Sequence, residues 1–594
     1  MGDEMDSLDF RCENRLVRRS SYRYIFPPMI GMIFAQIAPV VDGVYASEGI
    51  GTKALSAIGV VGPLNYVFNI ICALLGIGCG VVVSHCSGTG EKQKAARAFT
   101  RTIITLFTVT LVLTAVCLIF YEPILSLLCA TPENYSYAKE YLLVTVSGSI
   151  FISLNFAGDY ILANDNNANL AVAGDIVGAV VNMIVGYIGI YVFNCGIWIL
   201  AFGTVFGSFC CCLVYLMHFK KKDRLCRIVK PERKEGDPSL LEICKPGMAE
   251  AIMYMFFAIE LVVQNFVLRE DGGTSGLANS TIMENLALIF TIIIAGCTDP
   301  AYPMAAAYHG EQNKSGMLMV KRTLSKTGFI MLSIPVIILC IFPEISIIPY
   351  KVEDPLMLSS LPFAIRLVGI TQLLIFLTTL LIDYLSATGR EGKANLAFCV
   401  QFGIQIPLTL ILNIWSEMNS PWYASIIAQV GVLIFLCFFC GDIPKGMRKF
   451  HRENLRLLKG GRLTPELVTG FEQEANGKMD TKQCETLKNR MIEPLLKVLP
   501  GDKIPYGCFS ILERDDNRLA AILHYEAKKD LLEDLPELPE SDDDEDTEEE
   551  VPPDTCIRSE FLGMRRMMII LSGYDDLKNT DPEKDNSEKD DLKK

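Results

Sequence analysis

The sequence predicts an all-α polytopic membrane protein. It has twelve transmembrane helices in two six-helix lobes, related by a parallel pseudo-two-fold duplication and followed by a small cytoplasmic α/β tail. Three observations carry that prediction. Up to about residue 440 the chain is a series of apolar blocks, each long enough to cross a ~30 Å hydrocarbon core. Lys and Arg gather in alternate loops, the pattern left by one cytoplasmic side. Residues at matching depth recur between the two halves at a nearly constant offset.

The blocks run 24–47, 55–83, 99–121, 138–162, 169–193, 196–218, 245–268, 279–307, 324–349, 360–386, 394–413 and 421–440. Segment 1–23 is polar and rich in Arg (Arg11, Arg15, Arg18, Arg19, Arg23), and the first block is full length, so no cleaved leader is expected. Bases recur after span 2 (Lys92, Lys94, Arg97, Arg101), in the linker 219–244 after span 6, after span 8 (Lys314, Lys321, Arg322), after span 10 (Arg390, Lys393) and after span 12 (Lys445, Arg448, Lys449). Loops after odd spans are poor in base. Both termini are therefore expected in the cytoplasm, with the protein in the cell membrane and the lobes at 24–218 and 245–440.

Composition excludes several classes. The 594 residues are 51% hydrophobic with a mean hydropathy of +0.32, which rules out a purely soluble chain. Taking the twelve acidic residues between Glu533 and Glu550 from the formal charge of −14 leaves −2, so the acidity belongs to one linker and argues against nucleic acid. Many of the twenty cysteines lie in apolar blocks (Cys210, Cys211, Cys212), where thiols act as small hydrophobes. Cys437 and Cys440 are read the same way. His85 and His309 end spans 2 and 8 without companion ligands. No metal site, cofactor or catalytic residue is expected, and the chain is not read as an enzyme.

The halves match in order. Pro28 precedes Asp42 by fourteen residues, and Pro246 precedes Glu260 by fourteen. Gly90-Glu91-x-x-Lys94 matches Gly310-Glu311-x-x-Lys314, with Asn65 and Asn285 in the same register. Asp159-Tyr160 and Asn169-Leu170-Ala171 match Asp383-Tyr384 and Asn395-Leu396-Ala397. Six spans per half insert both halves the same way up, an arrangement that rocks about a midplane site in many secondary transporters.

The first span continues as Val41-Asp42-Gly43-Val44-Tyr45 and Gly51-Thr52-Lys53-Ala54-Leu55-Ser56-Ala57-Ile58-Gly59, then Gly76-Ile77-Gly78 and Ser87-Gly88-Thr89-Gly90. With the duplication and the basic central linker, residues 20–440 resemble the multidrug and toxic compound extrusion (MATE) family of cation antiporters. The resemblance implies a central cavity between two lobes and rocker-switch alternating access. It also implies export of a small organic cation against a proton or sodium gradient. Members with a proton site in the N-terminal lobe pair the first-helix Asp with an Asp one turn after an Asn in the fifth helix. Here Asn182 fits that Asn, but the position four later is Gly186, and the fifth-span carboxylate is Asp175. That relay is not carried over.

A carboxylate deep in a span costs ~2.5–3.5 kcal/mol on insertion scales, so it needs a compensating reason. The leading coupling-ion or cation-binding candidates are Asp42, Glu260, Asp383 and Asp299; Asp159, Asp175, Asn182 and Glu284 follow. Tyr45, Tyr66 and Phe68 are candidates to stack on a planar cation. Pro39, Pro300 and Pro303 remove backbone donors and are read as helix hinges.

The tail starts at 441 with a basic collar. Residues 463–531 read as helix, strand, strand, 533–555 as an acidic solvated insertion, and 556–572 as a short final helix. This layout resembles the α/β sandwich of histidine-kinase-type ATPases in degenerate form. The helical Glu-x3-Asn is missing (the nearest stretch is Asn489 to Glu493), and Glu526-Ala527-Lys528-Lys529 replaces the Asp-x-Gly. ATP binding is not expected; the tail is expected to regulate or dock. Two rivals to a monomeric exporter stay open. A lipid-linked precursor flippase would want Arg or Lys in its cavity, and Arg366 alone lies well inside a span. A membrane sensor would signal through its tail to a cytoplasmic partner protein.

Overall fold

The computed structural model describes residues 2–88, 92–162, 165, 168–220, 226–230, 237–439, 455–498, 506–513, 518–525, 556–561 and 564–571. The basic collar at 441–452 and the acidic insertion at 533–555 lie outside the described residues. Among the described residues, ten helices are long and apolar enough to cross a bilayer. Tyr135–Ser147 and Ser149–Leu162 add a span bent by 57°. The long helical run Met248–Thr298 is two spans, one more than a single continuous helix would supply, folded as a hairpin at Gly273 (φ 56°, ψ −133°). Gln264 Nε2 in one arm donates to Ser280 Oγ in the other at 2.7 Å. A straight helix would hold residues so spaced ~24 Å apart. All twelve expected spans are accounted for.

Span 1 lies in Gly2–Gly49, and span 2 runs Thr52–Cys72, through a π turn at Ala73–Ile77, into Gly78–Gly88. Span 3 is Lys92–Ile119, span 5 Ala168–Tyr187 and span 6 Trp198–Tyr215. The second half continues with Lys314–Ile341, Pro355–Ala387, Glu391–Ser416 and Ser420–Phe439 as spans 9 to 12. The duplication shows in the backbone. Each half begins with a helical hairpin turning on a glycine at positive φ, Gly51 (122°) and Gly273 (56°). A side chain there would be strained.

Two details depart from expectation. Segment 1–23, set apart from span 1 by its polarity, is continuous with it. Span 1 begins as helix at Gly2, and Leu16, Val17 and Ile25 are buried in the same cluster as Met304 and Tyr308 of the second half. The helix also passes Pro39 without interruption. Span 8, by contrast, breaks at Asp299-Pro300, and the helix Ala301–Gly310 follows.

The linker is pinned to the first half. Arg97 grips Asp237 with two hydrogen bonds of 2.7 and 2.6 Å, and Arg101 donates to Pro238 O at 2.8 Å. Asp165 accepts from the Cys226 N–H at 3.0 Å and pairs with His218 Nε2 at 2.6 Å.

The tail is a five-stranded antiparallel sheet in the order β1-β2-β3-β5-β4, from Leu455–Arg462, Tyr506–Glu513, Leu519–Tyr525, Cys556–Phe561 and Met564–Leu571. The expected helix at 556–572 is therefore corrected to a hairpin. A run of Met, Ile and Leu broken by two arginines gives no period that separates strand from helix, and pairing with β3 decides it. β1, with Lys459, Gly460 and Gly461, carried no strand signal. Helices Pro465–Ala475, Thr481–Leu487 and Glu493–Val498 cover one face, where Phe471 stacks on Phe509 with centroids 4.6 Å apart. Asn489 sits on an exposed π turn between them.

Candidate functional site

A cavity of about 210 Å³ lies in the second half. Glu260 and Glu284 face it from the two arms of the 248–298 hairpin, Gln405 from span 11, Trp422 from span 12, and Tyr66 reaches it from span 2. Gln405 Nε2 donates to Glu260 Oε1. Gln405 Oε1 is buried with no partner among the described residues. Ser280 Oγ donates to Glu284 Oε1 at 3.4 Å while accepting from Gln264. Tyr66 stacks on Tyr254 and tilts on Phe257, at 6.2 and 5.7 Å. Two carboxylates, amide groups and aromatic faces form a surface complementary to a cation with an apolar body.

In the first half, Asp42 is buried at 4% exposure. Its Oδ2 accepts from Asn182 Nδ2 at 3.2 Å and Thr204 Oγ1 at 3.3 Å, and Oδ1 has no partner among the described residues. Gly186, where the resembled subgroup carries its second Asp, is filled from outside: a Cβ there would lie 3.1 Å from Tyr45 Cδ2. Tyr45 packs edge-on against Tyr187 and Tyr191 (6.2 and 5.6 Å) and does not line the cavity. Phe68, also expected there, is buried in the first-half core with Val60 and Leu64. Neither ring lines this cavity: helical spacing in a span does not reveal which aromatic faces the core.

Asp159 and Asp175 are brought together. The Tyr215 hydroxyl donates to Asp159 and lies 3.4 Å from Asp175 Oδ1. Asp383 is within electrostatic reach of Asp299 and Glu250, and Asp299 is exposed. Asp159 of one half and Glu250 and Asp299 of the other also act on Tyr160, so acidic groups from both halves gather on the side of the linker 219–244.

The span ends remote from the linker 219–244, which the alternation of bases predicts to be the outer ones, are sealed across the halves. Ser47 Oγ donates to Tyr350 O at 2.6 Å, and Thr131 Oγ1 meets Thr274 Oγ1 at 2.9 Å. Thr281 Oγ1 donates to Leu55 O and Asn265 Nδ2 to Gly59 O, both at 3.2 Å, and Lys351 pairs with Glu48. Cys129, 4% exposed, lies under this seal against Arg269.

Sequence reasoning missed Thr204, Tyr215, Glu250, Trp422 and the glutamines. Gln264, Gln401, Gln405 and Gln429 interrupt apolar runs as uncharged amides, a signal that a search for charges alone passes over.

The MatE family model matches residues 27–188. Multidrug export protein MepA of Staphylococcus haemolyticus (strain JCSC1435) is 22% identical over 430 residues, covering 72% of this chain and 94% of that protein. A solved inward-facing multidrug resistance MATE family transporter is 19% identical with a TM-score of 0.64, covering 73% of this chain and 99% of that one. The chain is therefore similar to MATE-family transporters in sequence and shares their fold. MepA of Staphylococcus aureus (strain N315) is likewise 22% identical, over 70% of this chain. A solved outward-facing MATE transporter of the MOP superfamily matches with a TM-score of 0.58 at 20% identity. MATE members are transporters and not enzymes, and this chain, with its many apolar spans, is a multi-pass membrane protein. Its tail lies beyond the share that these relatives cover.

Proposed function

We propose that this protein exports a small organic cation from the cytoplasm in exchange for an inward-moving proton or sodium ion. The observation that carries this is the second-half cavity, with Glu260 and Glu284 facing tyrosine, phenylalanine and tryptophan rings. A cationic, partly aromatic substrate satisfies both surfaces, and the acidic groups on the side of the linker 219–244 would concentrate it at the mouth. The multidrug export named for MepA agrees with that chemistry. The lipid-precursor flippase is disfavoured, since Arg366 Nε donates to Cys340 O at 2.9 Å and is not among the cavity residues. The alternation of bases supports cytoplasmic termini in the cell membrane.

Asp42 and Glu260, at equivalent depth in the two halves, are the coupling groups in this reading, with Asp383 and Asp299 next. The test is efflux of a fluorescent organic cation from inverted vesicles with each ion gradient imposed separately. Asp42→Asn and Glu260→Gln should remain folded, and at least one should bind the dye yet lose gradient-driven movement. Wild-type transport by both would place coupling elsewhere.

A further inference from the structure

The tail sheet has two buried faces, and its own helices cover only one. On the other, Cys508, His524 and Arg566 form one cross-strand row over β2, β3 and β5. That row meets Glu311, on the tight turn that joins helix Ala301–Gly310 to span 9. Glu311 is 0% exposed; its Oε1 is 2.9 Å from His524 Nε2 and 3.1 Å from Arg566 Nη1. Tyr308 packs on the His524 ring at 5.6 Å. The turn is rigid. Gln312 sits at φ 55°, and Asn313 Oδ1 caps span 9 by accepting from the Gly316 N–H at 2.8 Å.

The same sheet also holds span 1. The Arg15 guanidinium lies 4.5 Å over the Tyr506 ring, and Leu16 and Val17 share a buried cluster with Leu458, Cys508 and Tyr308. Span 1 belongs to the first half at its outer end, where Asp42 meets Asn182 and Thr204. The inner extension of one half is thus fastened to the inner turn of the other. Burial alone would push the Glu311 carboxyl up, but His524 and Arg566 outweigh it and hold it below its ordinary value, so the carboxylate is charged when docked.

We propose that the tail is an intramolecular clamp that holds the outer seal shut, and that its release from Glu311 and from the span 1 extension lets the transporter open outward. This rests on the transport reading above. Contacts made to both halves in one relative placement favour that placement by the free energy lost when they part. The Glu311 pair is buried, so removing one partner strands a charge and releases the sheet. This also gives the second Gly-Glu-x-x-Lys motif a role that the cavity does not use.

The test uses the full-length purified chain with two readouts. Hydrogen exchange of residues 519–525 and 564–571 reports docking. Labelling of Cys129 by a thiol reagent, resolved by peptide mass spectrometry, reports opening of the outer seal. Glu311→Arg and Arg566→Glu should each raise exchange, and each should raise Cys129 labelling at least about fivefold, the lower end of typical coupling. The Glu311→Arg/Arg566→Glu exchange of partners should restore both. Undocking with labelling unchanged or lowered overturns the proposal, and so does a tail that stays docked in both single variants. Labelling that behaves as expected in a protein that moves no organic cation under any gradient would instead refute the transport reading and leave the clamp standing.

Discussion

Gly59 packs directly against Thr281 of the other half, and Gly59→Ala turns that approach into a measurement. A methyl group there would overlap Thr281 Oγ1 and lie 3.5 Å from Leu277 O. If Thr281 turns aside, its 3.2 Å bond to Leu55 O is lost, at about 1 kcal/mol. If the spans part instead, the Asn265 bond to Gly59 O goes as well, and overpacking brings the total to about 3 kcal/mol. The sealed state should therefore lose a factor of roughly 5 to 150 against the outward-open one. Cys129 labelling should rise accordingly, with tail exchange unchanged. Gly403→Ala is the control, since a Cβ there meets open space. Equal labelling in wild type and Gly59→Ala would refute the claim that this contact closes the outer side.

Three further outcomes are expected. Trp422→Ala or Tyr66→Ala should weaken dye binding by roughly 5- to 30-fold in equilibrium titrations, for loss of a ~1–2 kcal/mol ring–cation contact; unchanged affinity would remove the substrate from this cavity. Cys484 in the tail should react with a membrane-impermeant thiol reagent only after cells are opened, and labelling of intact cells would invert the topology. Arg97→Ala removes both guanidinium bonds to the buried Asp237 carboxylate, a loss of about 1.5–3 kcal/mol, and should make the linker 219–244 much more sensitive to protease. Digestion at the wild-type rate would show that the linker is not held there.

Much of the membrane architecture could be read from the sequence because insertion into lipid leaves a coarse record. Apolar blocks of spanning length and alternating bases need no knowledge of side-chain packing. The hairpin at Gly273 is implied by two apolar blocks, spans 7 and 8, following one another. Glu260 and Asp42 stood out too, as charges within apolar runs. Which face each residue presents was not. Tyr66 lines the cavity while Phe68, two positions on, is core, and a span in lipid is apolar on all sides, so its period carries little information. The tail was the hardest part. Its sheet is closed by pairings as distant as β3 with β5, and the face opposite its helices is buried by contacts such as that with Glu311. No local pattern encodes such a partner.

The outer seal has a consequence for how the cycle responds to membrane voltage. Of the contacts described across it, Glu48 with Lys351 is an ion pair, and the others join hydroxyls, an amide and backbone carbonyls. Parting neutral groups displaces no charge, and parting the pair moves two opposite charges at the same level. The seal is then electrically silent, whereas a cation crossing on a carboxylate gains or loses ~2.3 kcal/mol per 100 mV. Any current carried by this protein should therefore track the occupancy of its carboxylates, with the opening of the outer side adding no gating charge of its own.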